Sequence, residues 1–327
     1  MGRLLFLATG GTFGMIRRPG SDVLEPATDL SASLPSLRGQ DQAQIDAEIV
    51  ANLDSSDMTP ALWEALGRRI YDGLGTYDGF VILHGTDTMA YTAAALSYML
   101  ENLPRPVILT GSQRPLAEPR SDAEANLLHS THCALLDLPE VGLYFGNTLY
   151  RGNRATKTSI QSYHAYSSPN FPPLLEMGVD VVRPTPHLQP RGAPAFHPGF
   201  CTDVAVLQPV PGQRPFLLDA ARDAGARAVV VRAFGEGNLP LVEWPEAVGR
   251  ATAAGVPVII ASQAPLGRIQ AGRYRNSARC LDQGALFTGD MTLEAAVVKA
   301  MWLLGQGLDL SAFRARFGRS VAGELTE

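Results

Sequence analysis

Lysine is nearly absent from this chain. Of 27 basic residues in 327, only Lys157 and Lys299 are lysines, and the other 25 are arginine. Arginine keeps its proton in proteins, whereas a desolvated lysine can shed it. A lysine in this background is therefore a candidate for work that arginine cannot do. Cysteine is scarce too: Cys133, Cys201 and Cys280 form an odd, widely spaced set with no Cys-x-x-Cys. That argues against a disulfide framework and fits a reduced, cytoplasmic chain. No apolar run reaches the roughly 18–20 residues of a membrane span. The five-residue run Leu4–Ala8 is too short for the core of a secretory signal. The formal charge is only −5, and no basic stripe with interleaved aromatics is present, which argues against a nucleic-acid partner. Gly-x-Gly-x-x-Gly, a Walker A loop and Gly-x-Ser-x-Gly are all missing, so nothing points to a dinucleotide, a nucleoside triphosphate or a serine-hydrolase elbow. His129-x-x-His132 beside Cys133 lacks zinc-site spacing, and neither a metal nor another cofactor is expected.

What is present is an alternation of aliphatic runs and helical patterns. Leu4–Ala8, the run from Phe80, Pro106–Thr110 and Val141–Phe145 read as strands. Ala61–Leu74, Met89 to about Leu100 and Asp122–Leu136 read as helices. A second, smaller set follows. Its strands are Val204–Leu207, Ala228–Val231 and Val256–Ala261, and its helices Phe216–Ala224, Val242–Ala254, Thr292–Leu304 and Ser311–Phe317. The expected fold class is α/β: a larger N-terminal domain with a doubly wound, mainly parallel sheet, and a smaller C-terminal α/β domain. Prolines crowd the stretch from Arg183 to Pro215, and the boundaries are read as residues 1–186, a linker at 187–202, and 203–327. From Met15 to about Asp46 no periodicity is visible, and both a lid and a surface excursion remain open.

Three strands of the first domain run into glycine plus a hydroxyl residue: Gly10-Gly11-Thr12, Gly85-Thr86-Asp87-Thr88 and Gly111-Ser112. In a parallel sheet these ends share one edge, where ligands bind. Three helix caps would give the same residues, since Asp and Thr satisfy orphan helix amides. The repetition favours a site. Its chemistry would be a hydroxyl nucleophile, Thr12 or Thr86, with Lys157 as base and Asp87 as orienting carboxylate, because threonine needs an adjacent base to attack.

The motifs Thr9-Gly-Gly-Thr12, Asp54-Ser-Ser-Asp-Met-Thr-Pro60, His84-Gly-Thr-Asp-Thr88, Thr110-Gly-Ser-Gln-Arg-Pro115 and Arg151-Gly-Asn-Arg-Ala-Thr-Lys157 occur in this order. Together they resemble the bacterial asparaginase/glutaminase family, and its cytoplasmic type I members in particular. The likeness continues through Phe234-Gly-Glu-Gly-Asn238 and Gly289-Asp-Met-Thr-Leu-Glu294 to Gly323-Glu-Leu-Thr326.

The resemblance implies an L-asparagine amidohydrolase, with L-glutamine as a second candidate substrate. Thr12 attacks the side-chain amide, ammonia leaves, and water resolves the threonine ester to aspartate. Lys157 draws a proton through Thr86, and Asp87 also pairs with the substrate ammonium. Ser55, with Asp54 and Ser56 beside it, holds the substrate carboxylate, Gly11 lies in the binding turn, and the Gly111-Ser112 turn contacts the leaving amide. It further implies a homodimer or homotetramer, with Asn238 completing a neighbour's site. Many relatives carry a tyrosine in the loop after the first threonine, yet no tyrosine occurs between Phe13 and Ala47. Tyr274 is expected to support Thr12 instead. Arg17 and Arg18 in that loop read as guides for an anionic substrate or as solvated charges.

Overall fold

The computed structural model describes residues 2–17, 24–26 and 43–327, with backbone only at 16–17 and 24–26. Most of the segment read as either a lid or a surface excursion, with Arg18 and the Arg17 side chain, lies outside the described residues. The chain forms two compact units, Met1–His197 and Pro198–Glu327.

The N-terminal unit is built on an eight-stranded sheet. Its strands are β1 (Gly2–Gly10), β2 (Ala43–Leu53), β3 (Gly79–Leu83), β4 (Val107–Thr110), β5 (Val141–Phe145), β6 (Thr148–Arg151), β7 (Leu175–Met177) and β8 (Val181–Val182). Their order is β8-β7-β6-β5-β4-β3-β1-β2. Every pair from β2 to β5 is parallel, and β6 to β8 add antiparallel strands at the other end. Helices α1 (Pro60–Gly73), α2 (Met89–Met99) and α3 (Ala123–Ala134) connect the parallel strands. The interior of the sheet is continuous hydrocarbon: Leu4, Leu5 and Leu7, Phe80–Ile82, Val107–Leu109 and Leu143 are all fully buried. Burial on both faces is why these strands read as unbroken aliphatic runs rather than alternating ones.

Strand β2 falls where the sequence reading expects the end of a patternless loop. It pairs in parallel with β1 over Gly2–Ala8, with an irregularity before Gly10. It is an edge strand, and its period is disguised by acids that find local cations. Asp46 takes Arg3 at 2.7 Å and the Tyr77 hydroxyl at 3.1 Å, and Glu48 takes Arg69 at 2.5 Å, while Ile49 is exposed. Acids turned toward the molecule on an edge strand are a recurrent way of discouraging further strand pairing.

The proline-rich stretch read as a linker is fastened to the N-terminal unit over its first half. Leu188 N–H donates to Glu140, Arg191 N–H donates to Asn102, and Ala195–Phe196 pairs antiparallel with Leu100–Glu101. Phe196 stacks on Tyr71.

The C-terminal unit is a parallel four-stranded sheet, β9 (Val204–Leu207), β10 (Ala228–Ala233), β11 (Val258–Ser262) and β12 (Leu286–Phe287), in sequential order. Helices α4 (Phe216–Asp223), α5 (Trp244–Ala253), α6 (Arg275–Asp282), α7 (Leu293–Gly305) and α8 (Leu310–Phe317) accompany it. Helix α6 was not expected from the sequence. Among the described residues no helix is long and apolar enough to cross a membrane.

Candidate active site

Strands β1, β2, β3 and β4 end at Gly10, Leu53, Leu83 and Thr110, and the turns that follow carry Thr12, Ser55, Thr86 and Gln113. Glycine sets how closely these turns approach. Gly11 has φ +80, and a Cβ there would lie 2.3 Å from Gly85 Cα and 2.4 Å from Gly85 N. A Cβ on Gly85 would lie 2.7 Å from Ser55 Oγ, and one on Gly111 2.2 Å from His84 O. Backbone therefore packs on backbone, and the turns bearing Thr12, Ser55 and Thr86 meet at one spot. Thr12 is half-buried at the head of the single 3-10 turn Thr12–Gly14.

Lys157 comes from a different direction, on the short strand Thr156–Lys157. That strand pairs antiparallel with Tyr166–Ser167, so that Lys157 lies opposite Tyr166. Its Nζ donates to Thr86 Oγ1 at 2.8 Å and to Asp87 Oδ1 at 2.6 Å. The facing Tyr166 hydroxyl donates to the Thr86 carbonyl oxygen. One hairpin thus holds Thr86 by side chain and by backbone. The Lys157 side chain is 16% exposed and that of Asp87 65%. The amine is sheltered while the carboxylate keeps an open side on which a substrate cation can bind. Helix capping does not explain these residues: Thr88 occupies the N-cap of α2 without capping it, and its hydroxyl donates instead to Ser55 O at 2.7 Å.

Ser55 is buried, and its hydroxyl accepts the Asp87 N–H at 3.3 Å. Asp54 caps the Ser55–Asp57 turn. Ser56 N–H and Oγ–H, at 2.8 and 2.7 Å, hold the Asp54 carboxyl below the usual carboxylate range. Asp54 and Ser56 are thus exposed residues bonded to each other beside Ser55.

Ser112 lies in the turn that follows β4. It is fully buried and its hydroxyl donates to Arg114 O at 2.7 Å, so its side chain is withdrawn into its own turn. The residue of that turn that reaches the threonine is Gln113, whose Oε1 lies 3.4 Å from Thr86 Oγ1. Gln113 carries no hydroxyl and was not singled out in the sequence. Tyr166 was missed as well, because a tyrosine nine positions beyond Lys157 carries no signal until the hairpin forms.

Behind the site, His84 is fully buried. Gly85 O can only accept, so His84 Nδ1–H donates to it at 2.7 Å. Nε2 accepts from Thr92 Oγ1 at 2.8 Å, and that hydroxyl in turn accepts Trp63 Nε1–H at 2.9 Å. Burial pushes the imidazole from 6.5 down to about 4, so it is neutral and supports the turn rather than moving charge.

Tyr274 and Asn238 belong to the C-terminal unit. Tyr274 stands 47% exposed at the N-cap of α6, with its N–H on Ser277 Oγ at 3.4 Å. Asn238 closes the Phe234–Asn238 turn after β10. Lys299 takes a structural role: its side chain and that of Glu324 are both 0% exposed and 2.5 Å apart. Among the described residues no cluster of three potential metal ligands occurs.

Fold and site together define a class: a two-unit α/β protein with paired threonine turns and a lysine at the carboxyl edge of a doubly wound sheet. The chain belongs to the asparaginase family. Residues 3–187 match the family model described as asparaginase, N-terminal, and residues 203–317 that of the glutaminase/asparaginase C-terminal domain. It is 39% identical to L-asparaginase 1 of Escherichia coli K12, covering 97% of this chain and 96% of that protein. The thermostable L-asparaginase from Thermococcus kodakarensis superposes with a TM-score of 0.93 at 34% identity, covering 99% of each chain. L-asparaginase I from Vibrio cholerae does so with 0.91 at 36%, covering 100% of this chain and 99% of that one.

Proposed function

We propose that this protein is an L-asparagine amidohydrolase, releasing ammonia and L-aspartate through a threonine ester. The observation that carries the reading is Lys157 Nζ seated 2.8 Å from Thr86 Oγ1 and 2.6 Å from Asp87 Oδ1, beside a turn whose glycine presses on that of Thr12. In this reading Thr12 Oγ attacks the amide carbon, and the proton it gives up returns from Lys157 through Thr86 to the nitrogen, which leaves as ammonia. Water then attacks the ester, its proton passing by the same route to Thr12 as aspartate departs. Neutral Lys157 takes the Thr86 hydroxyl proton while Thr86 takes one from the attacking oxygen. Asp87 holds the substrate ammonium on its open side, and the Ser55 turn, flanked by Asp54 and Ser56, holds the carboxylate. Gripping both charged ends orients the amide, which can supply a large share of the rate. The backbone of Gly11 and of the Gly111-Ser112 turn borders the amide. Tyr274 is assigned to support Thr12, and Asn238 to a neighbouring subunit's site in a homodimer or homotetramer. Neither metal nor cofactor has a role in this scheme, and the enzyme works in the cytoplasm.

The test is ammonia release from L-asparagine and L-glutamine by the wild type and by Thr12→Ala, Thr86→Ala and Lys157→Arg. Asparagine should be the better substrate, although one methylene is worth only about 1–3 kcal/mol. Each variant should lose at least about 100-fold in kcat. Arginine keeps the charge but cannot give up its proton. No release from either amide by the wild type would overturn the reading, and undiminished rates in the threonine variants would overturn the site.

A further inference from the structure

Gln113 is bound so that its amide can face only one way. Its Nε2 lies 3.1 Å from Ser162 O and 3.4 Å from Ser159 O, in the loop that joins Lys157 to Tyr166. Carbonyl oxygens only accept, so the NH₂ edge faces that loop and Oε1 is left facing Thr86. The Gln113 backbone is fixed as well, because its N–H donates to both carboxylate oxygens of Asp122 at 3.0 Å. Charged Lys157 can only donate, so Thr86 Oγ1 accepts from Nζ and sends its own hydrogen to Gln113 Oε1. In that arrangement the hydroxyl hydrogen points away from the amine that is to receive it.

We propose that Gln113 sets the direction of the Thr86 hydroxyl proton, parking it while Lys157 is charged and releasing it when Lys157 is neutral. The proposal rests on the reading of Lys157 as base and makes Gln113 a positioning residue. For turnover, the hydroxyl swings its hydrogen from Gln113 Oε1 to Lys157 Nζ. Oγ1 gives that proton to Nζ and takes one from the attacking water. One O–H bond breaks and one forms at Oγ1, one N–H bond forms at Nζ, and the hydroxide adds to the ester carbon. At 3.4 Å the bond to Gln113 is long for an O–H donor, which suits a contact that must be exchanged in every cycle. The titratable groups around this pair are Asp87 on the same turn, Tyr166 opposite in the hairpin, Asp122 beneath Gln113 and Asp54 beside Ser55.

Because the parked hydrogen favours the charged amine, Gln113 should raise the pH at which turnover begins. The experiment is the kcat–pH profile for ammonia release from L-asparagine by the wild type, Gln113→Met and Gln113→Glu. Methionine keeps the length and removes the acceptor, so the acid limb should move to lower pH by about half to one unit, the worth of one such hydrogen bond. Glutamate keeps an oxygen near Thr86 and adds negative charge, so the limb should move to higher pH by at least as much. A packing role alone would slow both variants without moving either limb. Limbs that stay at the wild-type position, or move in the same direction, overturn the proposal. Thr86→Ala distinguishes the two possible failures. Full turnover there overturns the relay and Gln113's part in it. Lost turnover there with unmoved limbs overturns the part of Gln113 alone.

Discussion

A fully buried histidine next to the Gly85-Thr86 turn invites a catalytic reading, yet His84 is held for the opposite purpose. Its Nδ1–H is spent on Gly85 O and its Nε2 on Thr92, at 2.7 and 2.8 Å. A second proton would land on Nε2, where the Thr92 hydroxyl would have to turn from donor to acceptor. The consequence is a pH dependence of stability. The folded imidazole titrates at about 4 and the unfolded one near 6.5. Between those values the unfolded chain binds a proton that the folded chain refuses. Stability from this site is complete above pH 6.5 and is lost as pH falls toward 4, by about 3 kcal/mol in all. Urea unfolding of the wild type and of His84→Gln across pH 4–7 would measure it, since the amide can replace both hydrogen bonds without titrating. The variant should show a flatter profile, and parallel profiles would count against a neutral buried His84.

Among the elements, the strand-to-helix passage Gly79–Met99 was legible because all its information is local: an aliphatic run, a glycine break and an alanine-rich helix. Strand β2 was not legible, because acids break its apolar pattern and their partners, Arg3 and Arg69, arrive from other elements. Distance in sequence hid the rest of the site too: Gln113 lies 27 residues from Thr86 and Tyr166 lies 80 away. Glycine at the turns was readable as permission for tight backbone, but which backbone it meets was not. That pairing can be tested. At Gly11 a methyl group meets Gly85 at 2.3 Å and must also adopt φ +80, whereas at Gly75 nothing lies within 4 Å. Gly11→Ala should therefore cost more than about 2 kcal/mol of stability and lower kcat in the remaining folded protein. Gly75→Ala should change neither by a comparable amount. Equal unfolding midpoints for the two variants would contradict the close approach of the two turns.

At the scale of the whole chain, the two lysines sit in different settings. Lys157 has a polar partner with an open face, whereas Lys299 is enclosed. It donates to Phe317 O at 2.9 Å, to Arg319 O at 2.6 Å and to Glu324 at 2.5 Å. Glu324 in turn accepts the backbone N–H groups of Val321 and Ala322, and Thr326 N–H donates to Asp290. The motifs Gly289–Glu294 and Gly323–Thr326, which strengthened the family resemblance, thus serve to fasten the end of the chain onto α7 and α8. Arginine would not substitute easily for Lys299, because a larger planar cation would have to fit a space in which both partners are 0% exposed. Removing one partner strands a charge in that space. Lys299→Met should therefore destabilise the protein by about 3–5 kcal/mol. Glu324→Leu should do comparable damage by leaving the ammonium with carbonyls alone. The double variant Lys299→Met/Glu324→Leu should recover a large part of the loss, since an apolar pair carries no desolvation cost. A cycle of urea midpoints over the four proteins measures the coupling. Additive losses in the double variant would show that the two side chains act separately, and that the tail is held by its backbone hydrogen bonds instead.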